Sequence, residues 1–142
     1  MLREISLVLH VLGVLLWIGG CASAAWTAAQ LTTASPLART EGLAAVRRSL
    51  VVIATPGLLL AWLGGLTIFV TFLDVYARAG WMHGKITIAL VLSALHGVLM
   101  ARVRKAASGE RAVSETVFAG LGMALVIGAA IVVALVVFRP GA

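Results

Sequence analysis

Charge is the scarcest ingredient of this chain. Only 11% of its 142 residues are charged and just five are acidic, whereas 62% are apolar. A soluble domain carries about 25% charged residues, so too little polar surface exists here to clothe a water-soluble globule. With a mean hydropathy of +1.12, the composition is that of an integral membrane protein. The single cysteine, Cys21, excludes a disulfide framework, a CxxC metal site and a cysteine-ligated iron–sulfur cluster within one chain. Five acids leave little material for an all-carboxylate centre. The net charge of +6 is not a nucleic-acid signal, because the basic residues fall in the gaps between apolar runs.

Those runs divide the chain into four spans of one transmembrane domain. Bilayer hydrocarbon, roughly 30 Å thick, needs about 20 apolar residues of helix. Residues 5–29, 49–73 and 116–138 contain no Asp, Glu, Lys or Arg, and 81–101 carries only Lys85 near its start. The backbone must satisfy itself in lipid, and no barrel-like alternation occurs, so the expected fold is all-α: an up-down bundle of four transmembrane helices. Ile18-Gly19-Gly20-Cys21 loosely resembles a lipoprotein cleavage box, but the apolar run continues through Ala29, so the first span is read as uncleaved. Seven of the eleven basic residues lie in the first and third loops (Arg39, Arg47, Arg48, Arg102, Arg104, Lys105, Arg111). The positive-inside rule puts those loops in the cytoplasm and both termini outside, as in a multi-pass protein of a bacterial-type plasma membrane.

Local signals fill in the connections. Ser35-Pro36 reads as an N-cap followed by proline at the first helical position, starting an interfacial helix that runs into the second span. Pro56-Gly57 lies inside that span and is expected to kink it. Small residues form three stripes for close helix contact: Gly13, Trp17, Gly20 and Ala24 alongside His10; Gly57, Ala61 and Gly64; and Gly120, Ala124 and Gly128. The last is a candidate homodimer face.

Three histidines, His10, His83 and His96, sit within or at the edge of spans. Each alone can serve as a helix–helix hydrogen bond, but intramembrane ionisable groups are expensive, and three in so short a chain point to a cofactor. His10 and His83 lie near the same membrane face, differing by only about 5 Å in depth. His96 is roughly 20 Å deeper than His83 and about 140° further around its helix, so those two cannot share a small site. Two imidazoles from different helices at one level suit a six-coordinate haem iron. Zinc lacks obvious further ligands there; copper stays open through Met82, Met100 and Met123. Trp81 fits the interfacial aromatic belt. Lys85 either snorkels to the headgroups or presents a cation to an anionic ligand such as a porphyrin propionate. It lies about 20° from His96 around the helix, while His83 points largely the other way.

These pieces, in this order and spacing, resemble the membrane-embedded, oxygen-independent protoporphyrinogen IX oxidases of the HemJ type. They are His10 with Trp17-Ile18-Gly19-Gly20; Thr55-Pro56-Gly57; Gly80-Trp81-Met82-His83-Gly84-Lys85; and His96 with Arg102-Val103-Arg104-Lys105 and Gly109-Glu110. A looser similarity runs to copper-resistance D-type membrane proteins. The resemblance implies a haem b-binding bundle that oxidises protoporphyrinogen IX to protoporphyrin IX and passes electrons to quinone. It implies His10 and His83 as haem-iron ligands, Arg78 beside the cofactor, Lys85 and Trp81 as catalytic residues, and His96 in a further role.

Two family features are missing. Ala24-Ala25-Trp26-Thr27-Ala28-Ala29-Gln30 lacks the arginine and histidine that usually close the first span, and Phe118-Ala119-Gly120-Leu121-Gly122 replaces an asparagine–glutamate–proline motif. Arg39, Arg47, Arg48, Arg102 and Arg104 are candidates to hold a porphyrinogen's carboxylates. The competing functions are a haem-binding electron-transfer or accessory subunit of a membrane redox complex, and copper or small-solute transport.

Overall fold

The structure, a computed structural model, describes residues 1–110 and 112–139; Arg111, counted above among the basic loop residues, lies outside them. Helix α1 spans Leu2–Gln30 and ends in a 3-10 turn, Leu31–Thr33. Helix α2 (Pro36–Ser49) passes through a π-turn, Leu50–Ala54, into α3 (Thr55–Thr71). A short α4 (Leu73–Tyr76) precedes α5 (Gly80–Ala107) and α6 (Glu115–Phe138). No strand occurs among the described residues. Four helical stretches are long and apolar enough to cross a membrane, as the uncharged runs require.

Alternating direction is recorded by an aromatic cluster at one end. The Arg3 guanidinium lies 5.7 Å from the Phe72 ring centre, and Arg139 lies 5.7 Å from that of Trp81. Tyr76 joins the two rings edge-on, at 6.0 Å from Phe72 and 5.9 Å from Trp81. The start of α1, the end of α3, the start of α5 and the end of α6 therefore share one membrane face. This is the up-down arrangement, with amphipathic rings and cations gathered at headgroup level.

Both polar punctuation marks behave as the sequence dictates, one with a twist. Ser35 Oγ accepts from the Ala38 amide at 3.4 Å, with Pro36 in the first turn. Pro56 has no N–H, and its ring would collide with the carbonyl four residues back. Rather than break, the helix widens into the π-turn, and the Thr55 amide and hydroxyl (3.0 Å) both donate to the Leu50 carbonyl. Arg39 closes the end of α1, donating to the carbonyls of Leu31 (3.1 Å), Thr32 (2.9 Å) and Ala34 (3.0 Å). At the other basic loop, α5 stops where Gly109 takes a φ of +76°, a left-handed turn that glycine adopts without strain.

Helix α1 is the hub, with α3 packed on one side and α6 on the other, and α5 leaning on α6. Two of the small-residue stripes meet each other. A Cβ placed on Gly57 would fall 2.5 Å from the Trp17 amide nitrogen, and one on Gly64 would fall 2.6 Å from the Ser6 carbonyl oxygen. A Cβ on Gly13 would collide with the Ala61 backbone. Lipid gives apolar side chains no reason to leave it, so this close approach is what holds α1 to α3.

The third stripe is divided. Gly128 receives the Leu92 side chain of α5, while Gly120 faces open space. Within the bundle, the backbones of α3 and α5 hardly approach; they are joined by side-chain hydrogen bonds, among them Trp62 Nε1 to Ser93 Oγ at 3.0 Å.

Replacing Gly57 by Ala should cost about 1–3 kcal/mol of stability, because the new methyl must push two backbones apart. Gly19, with nothing within 4 Å of a built Cβ, is the control, and Gly19→Ala should be neutral or slightly stabilising. Thermal melts of both variants in detergent check this; equal melting points would contradict the packing.

Candidate functional site

His10 is fixed from the α3 side. Its Nδ1 lies 2.7 Å from the Ala61 carbonyl oxygen, which can only accept, so Nδ1 carries the proton. The ring fits because α3 has glycine beside it: a Cβ on Gly65 would fall 2.9 Å from Nδ1 and 3.0 Å from Cε1. Nε2 keeps its lone pair and has no hydrogen-bond partner among the described residues. A backbone carbonyl on one ring nitrogen, leaving the other as a free donor, is how metal-ligating histidines are commonly oriented.

Lys85 projects from α5 as a half-buried residue, toward the same membrane face as His10. It has neither ion pair nor hydrogen bond among the described residues. Trp81 is 9% exposed, held between Tyr76 and Arg139 as part of the membrane-face cluster. Arg78 stands exposed in the turn between α4 and α5. His83, only two residues before Lys85, is exposed as well. It lies about 140° around α5 from the buried His96 and therefore faces away from the bundle.

His96 sits in a second polar cluster that includes two residues not singled out as partners from the sequence, Cys21 and Thr55. It is 5% exposed. Its Nδ1 lies 3.1 Å from Cys21 Sγ on α1, and its Nε2 lies 3.3 Å from Thr55 Oγ on α3. The directions follow from proton counting. Thr55 spends its one hydroxyl proton on Leu50, so it accepts from His96 Nε2–H. Nδ1 is then an acceptor for the Cys21 thiol. Thiol, imidazole and hydroxyl are all satisfied as neutral groups, which is the cheapest arrangement in a low-dielectric interior. His96 is thus a clamp across α1, α3 and α5, and the π-turn is what aims Thr55 at it. Trp17, two turns beyond His10 on the same stripe, has a buried Nε1–H with no partner among the described residues.

Two cavities open at the end of the bundle remote from His10. One, of about 360 Å³, is bordered by Thr55, His96, Met100 and Arg104. The other, of about 550 Å³, is bordered by Arg47, Arg48 and Arg104, with Ser108 and Glu110. Of the arginines expected to hold substrate carboxylates, Arg39 is committed to capping α1, and Arg102 borders neither cavity.

The residues do not fit a haem gripped by His10 and His83 of one chain. Depth was matched, but direction was not: His10 faces α3, whereas His83 is exposed and faces outward. His10 alone fits as a single protein ligand, with the Lys85 ammonium at the same end of the bundle for an acidic substituent. Among the described residues, no three His, Cys, Asp or Glu side chains converge as a metal site.

No protein-family model matches the chain, and neither curated proteins nor solved structures yield a significant match.

The clamp predicts that Cys21, fully buried, resists a membrane-permeant maleimide until the protein is unfolded. His96→Ala should lower stability by about 1–3 kcal/mol by stranding the thiol and hydroxyl, and should speed alkylation of Cys21. Labelling of the folded wild type at the rate of an exposed thiol would contradict the arrangement.

Proposed function

We propose that this chain is a membrane-embedded tetrapyrrole redox protein of the HemJ type, binding haem b through His10 and oxidising protoporphyrinogen IX with quinone as electron acceptor, in a bacterial-type plasma membrane. One observation carries the reading. An oriented imidazole with a free Nε2 lies toward the same membrane face as a half-buried ammonium that has no counter-charge among the described residues. An unpaired cation at membrane depth is costly, and a ligand that is apolar over most of its surface but bears carboxylates relieves that cost. Tetrapyrroles are such ligands.

In this reading His10 holds the iron, and its Nδ1–H bond to Ala61 keeps the ring from rotating. Haem b supplies a one-electron carrier. Lys85 pairs with a propionate, either of the cofactor or of the porphyrinogen, and orients it. Trp81 fixes the start of α5, and so the position of Lys85, through its contacts with Tyr76 and Arg139.

A second reading keeps the haem and drops the turnover. It is favoured by the commitment of Arg39 to capping and by the distance of the other loop arginines from Lys85, which is about 28 Å along α5 to Arg104. The chain is then an electron-transfer subunit.

Purified protein should show a reversible b-type spectrum that is lost in His10→Ala and retained in His83→Ala. Rescue of a strain lacking its own protoporphyrinogen oxidase separates the two readings, and Lys85→Met should reduce that activity about tenfold, the worth of one charge-assisted hydrogen bond. A His10→Ala variant with an unchanged b-type spectrum would overturn the ligand assignment.

A further inference from the structure

The 550 Å³ cavity at the far end is unused by the proposed chemistry, and its arginines outnumber its one acid among the described residues. Arg47 and Arg48 come from the last turn of α2, and Arg104 comes from the last turn of α5. The positive-inside rule asks only that loops be basic; it does not ask that guanidiniums from two helices distant in sequence line one hollow. None of the three forms an ion pair among the described residues, where the Met1 ammonium with Glu4 is the only such pair. The single acid at the rim, Glu110, accepts from Ser108 Oγ at 2.9 Å. The walls continue into apolar surface at Ala44, Val51 and Ala107.

We infer that this cavity binds the phosphodiester headgroup of an acidic phospholipid. Guanidinium forks match phosphate oxygens in geometry and charge. Three cations against one carboxylate leave an excess that a singly charged phosphodiester reduces. Glu110 repels a free phosphate dianion, yet it can accept from a headgroup hydroxyl. The level is right too, because the uncharged run of α5 ends near Ala101 and the arginines lie just beyond it, where headgroups begin. Basic pockets between transmembrane helices are known to take such lipids. The assignment stands apart from the haem reading, since the cavity and Lys85 occupy opposite ends of α5.

The test is native mass spectrometry of the full-length protein, delipidated in detergent and titrated with phosphatidylglycerol, with inorganic phosphate and deuteroporphyrin as competitors. Wild type is expected to retain one phosphatidylglycerol in preference to phosphatidylcholine. Arg47→Gln with Arg104→Gln should weaken retention by about fivefold per arginine removed. Ala44→Trp fills the cavity without altering any charge, so it guards against a loss caused only by inverted topology, and it should abolish retention. Undiminished lipid binding in Ala44→Trp overturns the proposal. Displacement by millimolar phosphate would make the site a phosphate site, and displacement by deuteroporphyrin would make it a carboxylate rim for substrate; either result also overturns it. Any haem spectrum should be the same in all three proteins.

Discussion

Contact between the backbones of α1 and α3 is the constraint from which the other placements follow. Gly13, Gly57 and Gly64 remove the side chains that would keep the two helices apart. Only at that separation can His10 reach the Ala61 carbonyl. In lipid this approach rests on van der Waals contact and interhelical hydrogen bonds, not on the expulsion of water. Polar side chains and small residues therefore act together: glycines set the distance, and histidines fix the register.

The half-buried His10 and the buried His96 are held in opposite ways. His10 donates from Nδ1 and keeps Nε2 free, whereas both nitrogens of His96 are committed. Imidazoles of the same chemical type are thus divided between a position able to accept a ligand and one closed by its neighbours. The proline at position 56 contributes to the second, since the π-turn it forces puts the Thr55 hydroxyl against Leu50 and opposite His96. π-turns within helices recur at functional sites; here the turn builds a structural clamp that borders a cavity.

Much of the fold was legible because few residues carry its signals. Uncharged runs marked the four spans, Ser35-Pro36 marked the start of α2, and two of the three small-residue stripes proved to be partners. The candidate site was less legible for a geometric reason. Depth in the membrane can be counted from sequence, and it matched His10 with His83. Direction around the helix decides whether two side chains meet, and the face shared by Lys85 and His96 already pointed away from His83. The Cys21–His96–Thr55 cluster was hidden because its members lie on three helices, far apart in sequence. Arg39 looked like a free cation, but the carbonyls it caps belong to a helix end that only the folded chain reveals.

Nitrogen-15 chemical shifts of histidine-labelled protein in lipid bilayers test the account most directly, because they report which ring nitrogen holds the proton. In the apo protein, His10 should carry it on Nδ1 and His96 on Nε2, two opposite tautomers in one molecule, with assignments made from His10→Ala and His96→Ala. If His10 instead carries its proton on Nε2, the bond to Ala61 does not exist, and neither does the free nitrogen on which the cofactor reading depends.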